Sequence, residues 1–154
     1  MNTVKTIAAV FLLATCSPFV LAEANNNLVI YETKGEFADV REDLIDAIIS
    51  QGLVIDYNGR PGDMLKRTQA DVGGSKDLYR AAEYLIFCSA LLSRKTMETD
   101  IQNISYCPYV VTIYETEQKP GTIYVSYRKF SRAADQSLLA VENLLDEIAR
   151  EATR

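Results

Sequence analysis

Residues Tyr109–Tyr127, "YVVTIYETEQKPGTIYVSY", contain the pattern that decides the fold. Two runs rich in β-branched and aromatic residues, Tyr109–Glu115 and Thr122–Tyr127, flank a polar segment that ends in Pro120-Gly121. Such runs are typical of β-strands, and a Pro-Gly pair between them is typical of a turn. The stretch therefore predicts a β-hairpin.

The second strand of this hairpin also predicts two different faces. Side chains alternate across a strand. One face is expected to carry the apolar set Ile123, Val125 and Tyr127, and the other the more polar set Thr122, Tyr124 and Ser126. The sheet therefore needs helices on at least one face.

The chain before the hairpin predicts three more strands and two helices. The strands are expected at Leu28–Glu32, Leu53–Tyr57 and Tyr84–Phe87, and the helices at Phe37–Ile48 and Leu91–Ile101. Thr33 and Glu36 have the spacing of a capping box before the first helix. Asn58-Gly59 and Pro61-Gly62 are expected as turns. In the ambiguous segment between them and the third strand, short helices are expected at Met64–Ala70 and Leu78–Glu83.

The chain after the hairpin predicts one amphipathic helix. Ser131 can cap it, Asp146 and Arg150 can pair across one turn, and one side is apolar: Ala134, Leu138, Val141, Leu145 and Ile148. The whole order is β-α-β-β-α-β-β-α, which predicts an α+β two-layer sandwich with a mixed or antiparallel sheet and helices on one face.

Residues 1–22 have the pattern of a secretory signal peptide, with a positive start, an apolar run and small residues before the expected cleavage after Ala22. A buried N-terminal helix and lipidation at Cys16 are the alternatives. Cleavage would leave residues 23–154 as a single domain in the periplasm or outside the cell. Loss of Lys5 takes the 16 basic residues to 15 against 21 acidic ones, a net charge of −6.

Composition excludes several function classes. An acidic chain does not favour nucleic acid or an anionic membrane as partner after signal cleavage. The chain has no histidine, which removes Ser-His-Asp and Cys-His catalysis and histidine-ligated zinc. We expect no cofactor and no catalytic residue set, although a carboxylate hydrolase using Asp56 and Asp63 stays open.

Two cysteines, Cys88 and Cys107, lie at the end of the third strand and the start of the fourth. If these strands are antiparallel neighbours, the cysteines face each other at one end of the sheet, and an oxidising compartment favours a disulfide. A redox-active thiol pair is one alternative. A Cu(I) site that adds Met97 or Met64 as a soft ligand is another.

Two groups of residues are candidates for ligand binding. Tyrosines cluster around the hairpin and could line a groove, since tyrosine combines an apolar ring with a polar tip: Tyr106, Tyr109, Tyr114, Tyr124 and Tyr127. Packing between strands is the other interpretation. Ser93 and Arg94, early in a helix, could hold an anion or form an ordinary solvated helix start.

Five segments in the same order resemble the domain of unknown function family 302: "KGEFADVREDLIDAI", "GLVI", "YLIFCSA", "CPYVVTIYE" and "GTIYVSYRK". The resemblance covers most of Leu28–Lys129. It implies a two-layer β-α-β-β-α-β-β core and brings no activity or catalytic residues with it. The cysteine pair and the last helix are additions, so the chain resembles an exported branch.

These observations favour a non-enzymatic exported protein that binds a small ligand or a partner protein and is stabilised by a disulfide. A thiol-redox or copper-handling protein is the alternative. An exposed sheet edge could also allow a homodimer.

Overall fold

The structure, a computed structural model, describes residues 27–130 and 136–154, which form five strands and four helices. The strands are β1 Leu28–Lys34, β2 Ile55–Gly59, β3 Tyr79–Phe87, β4 Tyr109–Thr116 and β5 Thr122–Arg128. The helices are α1 Phe37–Ser50, α2 Pro61–Thr68, α3 Ala90–Thr99 and α4 Gln136–Glu151, and a 3₁₀ helix, Ile101–Tyr106, follows α3. The α+β fold class is confirmed.

The five strands form one open, fully antiparallel sheet in the order β1-β5-β4-β3-β2. The predicted hairpin is its centre, since β4 and β5 pair directly and β3 continues the sheet from β4. β1 and β2 are the two edges. The first strand of the chain therefore lies beside the last one.

One face of the sheet packs against α1 and α4 and forms the core. Val111, Ile113, Ile123 and Val125 are fully buried there, under the apolar sides of the two helices. The helices contribute Val40, Leu44, Ala47, Ile48, Val141, Leu145 and Ile148. Burial of this apolar surface is the main driving force for the fold. The predicted stripe of α4 and the two predicted faces of β5 are confirmed within the described residues.

The opposite face, which we call the groove face, carries α2 at one side only. A Cβ placed on Gly62 at the start of α2 would lie 2.8 Å from the backbone nitrogen of Ala82, so α2 lies very close to β3. The rest of this face is formed by alternate residues of β3, β4, β5 and β1. The prediction of helices on a single face is therefore correct for α1 and α4 but wrong for α2.

Three local predictions are wrong. Leu78–Glu83 is not a helix, since β3 begins at Tyr79; pairing of this half of β3 with β4 outweighs the helix propensity of its alanines and Glu83. Asn58-Gly59 is part of β2 and not a turn. Pro61-Gly62 starts α2, where proline suits the first helical position.

The predicted capping box is also wrong. Thr33 belongs to β1, where it pairs with Ile123, and Glu36 caps α1 without a side-chain hydrogen bond. The second predicted helix ends earlier than expected, because α3 stops at Thr99 and the chain tightens into the 3₁₀ helix. Residues 1–22, Cys16, Ser131 and Ala134 lie outside the described residues.

Among the helices of the described ranges, none combines the length and the apolar character needed to cross a membrane.

Candidate functional site

A groove of about 880 Å³ crosses the groove face. Four strands form its floor, α2 forms one wall, and the chain around Tyr106 and Phe130 closes one end. The distance across the floor from β1 to β3 is about 14 Å at the usual strand spacing. A space of this size is within the range of small-ligand sites.

The middle of the floor is a row of four side chains from four neighbouring strands. Strand register places Ile30 opposite Ser126, Ser126 opposite Thr112, and Thr112 opposite Tyr84. Ser126 is only 7% exposed. The floor therefore has two hydroxyl groups at its centre and apolar or aromatic groups on both sides.

Tyrosine rings form a continuous wall at one end of the groove. Tyr79 meets Tyr114 edge-on at 5.8 Å between ring centroids, and Tyr114 stacks on Tyr124 at 5.0 Å. The Lys119 ammonium lies 5.8 Å from the Tyr124 centroid, within the range of a cation–π contact. Burial raises the pKa of Tyr114, and the nearby Tyr79 and Tyr124 raise it further. This hydroxyl therefore stays protonated at neutral pH.

Tyr84 is fixed over a glycine of the edge strand. A Cβ placed on Gly59 would lie 2.0 Å from the Tyr84 ring, so that ring occupies the space that a side chain would need. Tyr57, on the same strand, lies beside Tyr84 with ring centroids 6.2 Å apart. Glycine at position 59 thus sets the position of one side chain in the groove.

The opposite end of the groove is basic. Arg128, the last residue of β5, and the adjacent Lys129 both border it and are exposed. Neither has an ion-pair partner among residues 27–130 and 136–154. None of the described residues that line the groove is acidic, although the chain holds 21 acidic residues against 16 basic ones. The site therefore has the opposite charge to the molecule as a whole.

The residues predicted for ligand binding are divided between this groove and other places. Tyr106 borders the groove, and its ring lies 4.8 Å from that of Phe130. Tyr109 reaches the groove boundary but is 97% buried, and Tyr124 supports the wall from behind Tyr114. Arg94 points away and pairs with Glu98 on the exposed side of α3.

Tyr127 lies on the other face of the sheet and belongs to a polar contact that holds α4. Its hydroxyl donates to Asp146 at 3.0 Å, and the hydroxyl of Tyr31 donates to the same oxygen at 2.5 Å. Arg150 donates to the other oxygen at 2.7 Å. The hydrogen bond from Tyr31 is the main reason why the pKa of Asp146 lies below its ordinary value. Burial and the same carboxylate raise the pKa of Tyr127 well above its ordinary value.

Sequence reasoning missed most of the residues that form the groove: Ile30, Ala82, Tyr84, Thr112, Ser126 and Arg128. Alternation along β5 contains a usable indication, because Tyr124, Ser126 and Arg128 share one face. What the sequence could not provide is the position of β1 beside β5 and of α2 over β3, which turns an exposed face into a groove.

The cysteine pair is a disulfide. Cys88 and Cys107 are joined, with their Cα atoms 6.5 Å apart, at the end of the sheet where β3 and β4 are antiparallel neighbours. The bond closes the segment between β3 and β4, which consists of α3 and the 3₁₀ helix. Ser93 of α3 is buried against this bond: its hydroxyl lies 3.7 Å from the sulfur of Cys107 and 3.0 Å from the Tyr109 hydroxyl.

A second polar cluster lies between α1 and the β2 edge. Glu83 accepts from Arg41 and Asn58, each at 2.8 Å, and the Arg60 guanidinium lies 3.9 Å away. Burial alone would raise the pKa of Glu83, but these two hydrogen bonds and the positive charges hold it below its ordinary value. The cluster ties β2 and β3 to α1, and its charged groups are paired, whereas the Oδ1 atom of Asn58 is buried without a hydrogen-bond partner in the described residues.

The described residues do not form a site for the carboxylate hydrolase or for the metal site that the sequence left open. Asp63 is exposed and 4.0 Å from Arg60, and Asp56 is exposed in β2. Among the described residues, no three acidic, cysteine or histidine side chains come close enough to hold a metal ion. Met97 lies on α3 and Met64 on α2, which are on opposite faces of the sheet.

Comparison with known proteins identifies the family of this chain but does not indicate an activity. The family model described as domain of unknown function DUF302 matches residues 29–154. A crystal structure of an uncharacterised conserved DUF302 protein from Bacillus stearothermophilus has a TM-score of 0.67. It covers 83% of this chain and 98% of its own at 12% identity, which shows a shared fold. No curated protein matches. The family match extends from β1 through α4, so the expectation that the last helix is an addition to the family core is wrong. The chain belongs to the DUF302 family.

Proposed function

We propose that this protein is an exported, non-enzymatic binding protein that takes a small, largely apolar ligand into the groove on its open sheet face. The observation that carries the proposal is the groove itself. It has a floor of aliphatic and aromatic side chains with few polar groups, which is the usual composition of a small-molecule site.

Binding of a fluorescent apolar dye, N-phenyl-1-naphthylamine, tests this proposal. Val110 lines the groove and is 39% exposed, so Val110→Trp should fill part of the space and weaken dye binding at least fivefold. Val54 is 73% exposed and does not border the groove, so Val54→Trp is the matched control and should bind like the parent. Equal binding by all three proteins would reject the groove as the site.

Export is the second part of the proposal. The leader pattern of residues 1–22 supports it, and so does the disulfide, because disulfides persist in oxidising compartments and are rare in the cytosol. Expression of the full chain in a bacterium, followed by mass spectrometry of the osmotic-shock fraction, should give a protein that begins at Glu23 and has no free thiols at positions 88 and 107. An uncleaved protein confined to the cytosol would contradict export.

One observation favours a second function, thiol–disulfide exchange. The Ser93 hydroxyl lies beside the Cys107 sulfur, where it could stabilise a leaving thiolate while an external dithiol attacks Cys88. The products would be the oxidised dithiol and the Cys88–Cys107 dithiol. If this function operates, the bond opens in glutathione buffers without denaturant, and Ser93→Ala makes it harder to reduce. Copper handling would also require this reduced form.

A homodimer stays a prediction. β1 and β2 are both free edges of the sheet, but β1 carries Glu32 and Lys34 on its exposed side. Charged residues on an edge strand discourage pairing with another strand. Light scattering behind a sizing column at two protein concentrations decides between a monomer and a dimer.

A further inference from the structure

Ser126 is only 7% exposed, and its hydroxyl makes no side-chain hydrogen bond within the described residues. The other buried hydroxyls illustrate the contrast: Ser93 bonds to Tyr109, Thr96 donates to a backbone carbonyl, and Thr122 accepts from Lys34. Ser126 and its cross-strand neighbour Thr112 have no side-chain hydrogen bond among residues 27–130 and 136–154. Neither oxygen belongs to the fully buried polar atoms that lack a partner, so each can be reached from the groove. Both hydroxyls face the groove.

Arg128 lies on the same face of β5, two residues beyond Ser126. Two residues along a strand span about 7 Å, a distance that an arginine side chain can cover. Most described arginines pair with a carboxylate: Arg41, Arg60, Arg80, Arg94 and Arg150. Arg128 does not pair with any carboxylate in the described parts of the chain. Its planar guanidinium is the group best suited to bind a carboxylate with two hydrogen bonds.

The rest of the groove fits an apolar body. Leu28 and Ile30 remain 48% and 50% exposed beside these polar groups, although a folded chain normally buries large aliphatic residues. Leu65, at 37%, faces them from α2. A ligand with a charged head at Arg128 would therefore lie with its apolar part over these side chains.

We propose that the groove binds a free amphipathic carboxylate. Its anionic head is held by Arg128 together with the hydroxyls of Ser126 and Thr112, and its aliphatic body lies along the floor towards Tyr84 and Leu65. This assignment rests on the proposed binding function and adds the chemical class of the ligand. Charge complementarity supports it, because the groove has basic and no acidic lining residues in the described chain.

Three probes with the same ten-carbon chain and different charge test the assignment by displacement of N-phenyl-1-naphthylamine below their micelle concentrations: decanoate, decanol and decyltrimethylammonium. Decanoate should displace the dye at a concentration at least tenfold lower than the other two. Equal potency of decanoate and decanol would overturn the carboxylate class while leaving groove binding intact. No displacement by any probe, with dye binding unchanged in Val110→Trp, would instead reject the proposed function itself.

Two variants test the residues. Arg128→Gln and Ser126→Ala should each weaken decanoate binding, Arg128→Gln by roughly tenfold or more, without changing decanol binding. Arg67 on α2 is exposed, has no ion pair in the described chain and does not line the groove, so Arg67→Gln is the matched control. Unchanged decanoate binding in Arg128→Gln, with the parent's thermal midpoint, would overturn the assignment.

Other occupants give different results. A dimer that forms with rising protein concentration and is lost in Val110→Trp would identify a second copy of the chain in the groove and overturn the proposal. Co-sedimentation with phosphatidylglycerol vesicles without decanoate binding would assign a membrane surface and overturn it equally.

Discussion

Asp146 shows how a single carboxylate can connect three elements. It accepts hydrogen bonds from Tyr31 on β1 and Tyr127 on β5, and it pairs with Arg150 on its own helix. The sequence predicted the pair with Arg150 from its spacing of four residues. It could not predict the two tyrosines, which reach Asp146 only because β1 and β5 are neighbours under α4.

We expect Asp146→Asn to destabilise the protein by about 1–3 kcal/mol, because the amide oxygen can still accept from both tyrosine hydroxyls but an uncharged NH2 donor would face the Arg150 guanidinium. Urea unfolding followed by circular dichroism measures the change. Asp43→Asn on the exposed side of α1 is the control and should stay within about 0.5 kcal/mol of the parent. A loss at position 146 no larger than that of the control would contradict the role of Asp146.

Gly59 is the second position where one residue decides local geometry. Gly59→Ala would push its Cβ into the Tyr84 ring, and we expect a loss of about 1–3 kcal/mol from this overpacking. The double variant Gly59→Ala with Tyr84→Leu removes the ring and should recover part of the loss relative to Tyr84→Leu alone. Strict additivity of the two changes would show that the contact carries no energy.

At the scale of elements, the disulfide stabilises an irregular segment. α3 and the 3₁₀ helix leave the sheet after β3 and return at β4, and Cys88–Cys107 closes this segment at its base. The sequence predicted the bond because Cys88 lies at the end of the third strand and Cys107 at the start of the fourth, which brings them together if the two strands are antiparallel neighbours. It did not predict the 3₁₀ helix, whose Asn103 is buried and donates to the carbonyl of Thr96.

Replacement of both cysteines in Cys88→Ser/Cys107→Ser should lower the free energy of unfolding by roughly 3 kcal/mol, the entropic effect of closing a loop of this size. Using the double variant avoids a single reactive thiol. Urea unfolding of the parent with and without reductant is the companion measurement and should show a loss of similar size. A variant as stable as the oxidised parent would show that the bond does not stabilise the fold.

Strand and helix assignments failed where tertiary pairing opposed local propensity. Arg80, Ala81 and Glu83 favour a helix in isolation, yet this half of β3 pairs with β4 and its alternate residues face two different layers. The prediction of α4 was correct because its apolar stripe is long and strictly periodic, so the local propensity and the tertiary packing favour the same structure.

At the scale of the whole molecule, two carboxylates give stability a predictable pH dependence. The pKa values of Asp146 and Glu83 are both lower in the folded protein than their ordinary values. Their contribution is therefore present above the unfolded values, which are near 4, and is lost as the pH falls through the folded values. Stability should decrease below about pH 4.

Urea midpoints at pH 7, 5, 4 and 3 measure this decrease. The double variant Glu83→Gln/Asp146→Asn should be less stable at pH 7 but show a shallower loss on acidification, because it lacks the two groups that take up protons on unfolding. Parallel curves for variant and parent would place the acid sensitivity in other groups.

The overall architecture was predictable because the hairpin, the helix stripes and the resemblance all indicate the same two layers. The groove was not predictable to the same extent. Its floor depends on which strand lies beside β5, and its wall depends on which face α2 covers. Both depend on long-range contacts, which the alternation of residues within one strand does not indicate.

The pairing of β1 with β5 affects the order in which the chain can fold during synthesis. Leu28 pairs with Arg128, so the edge strand β1, the first strand to be synthesised, has no partner until the final hairpin has been translated. A nascent chain that stops at Gly121 holds β1 with its hydrogen-bonding groups open to water, chaperones and proteases. The sheet therefore cannot be completed until most of the chain has been synthesised. Until then the polypeptide stays incompletely folded, which suits any translocation machinery that moves an extended chain.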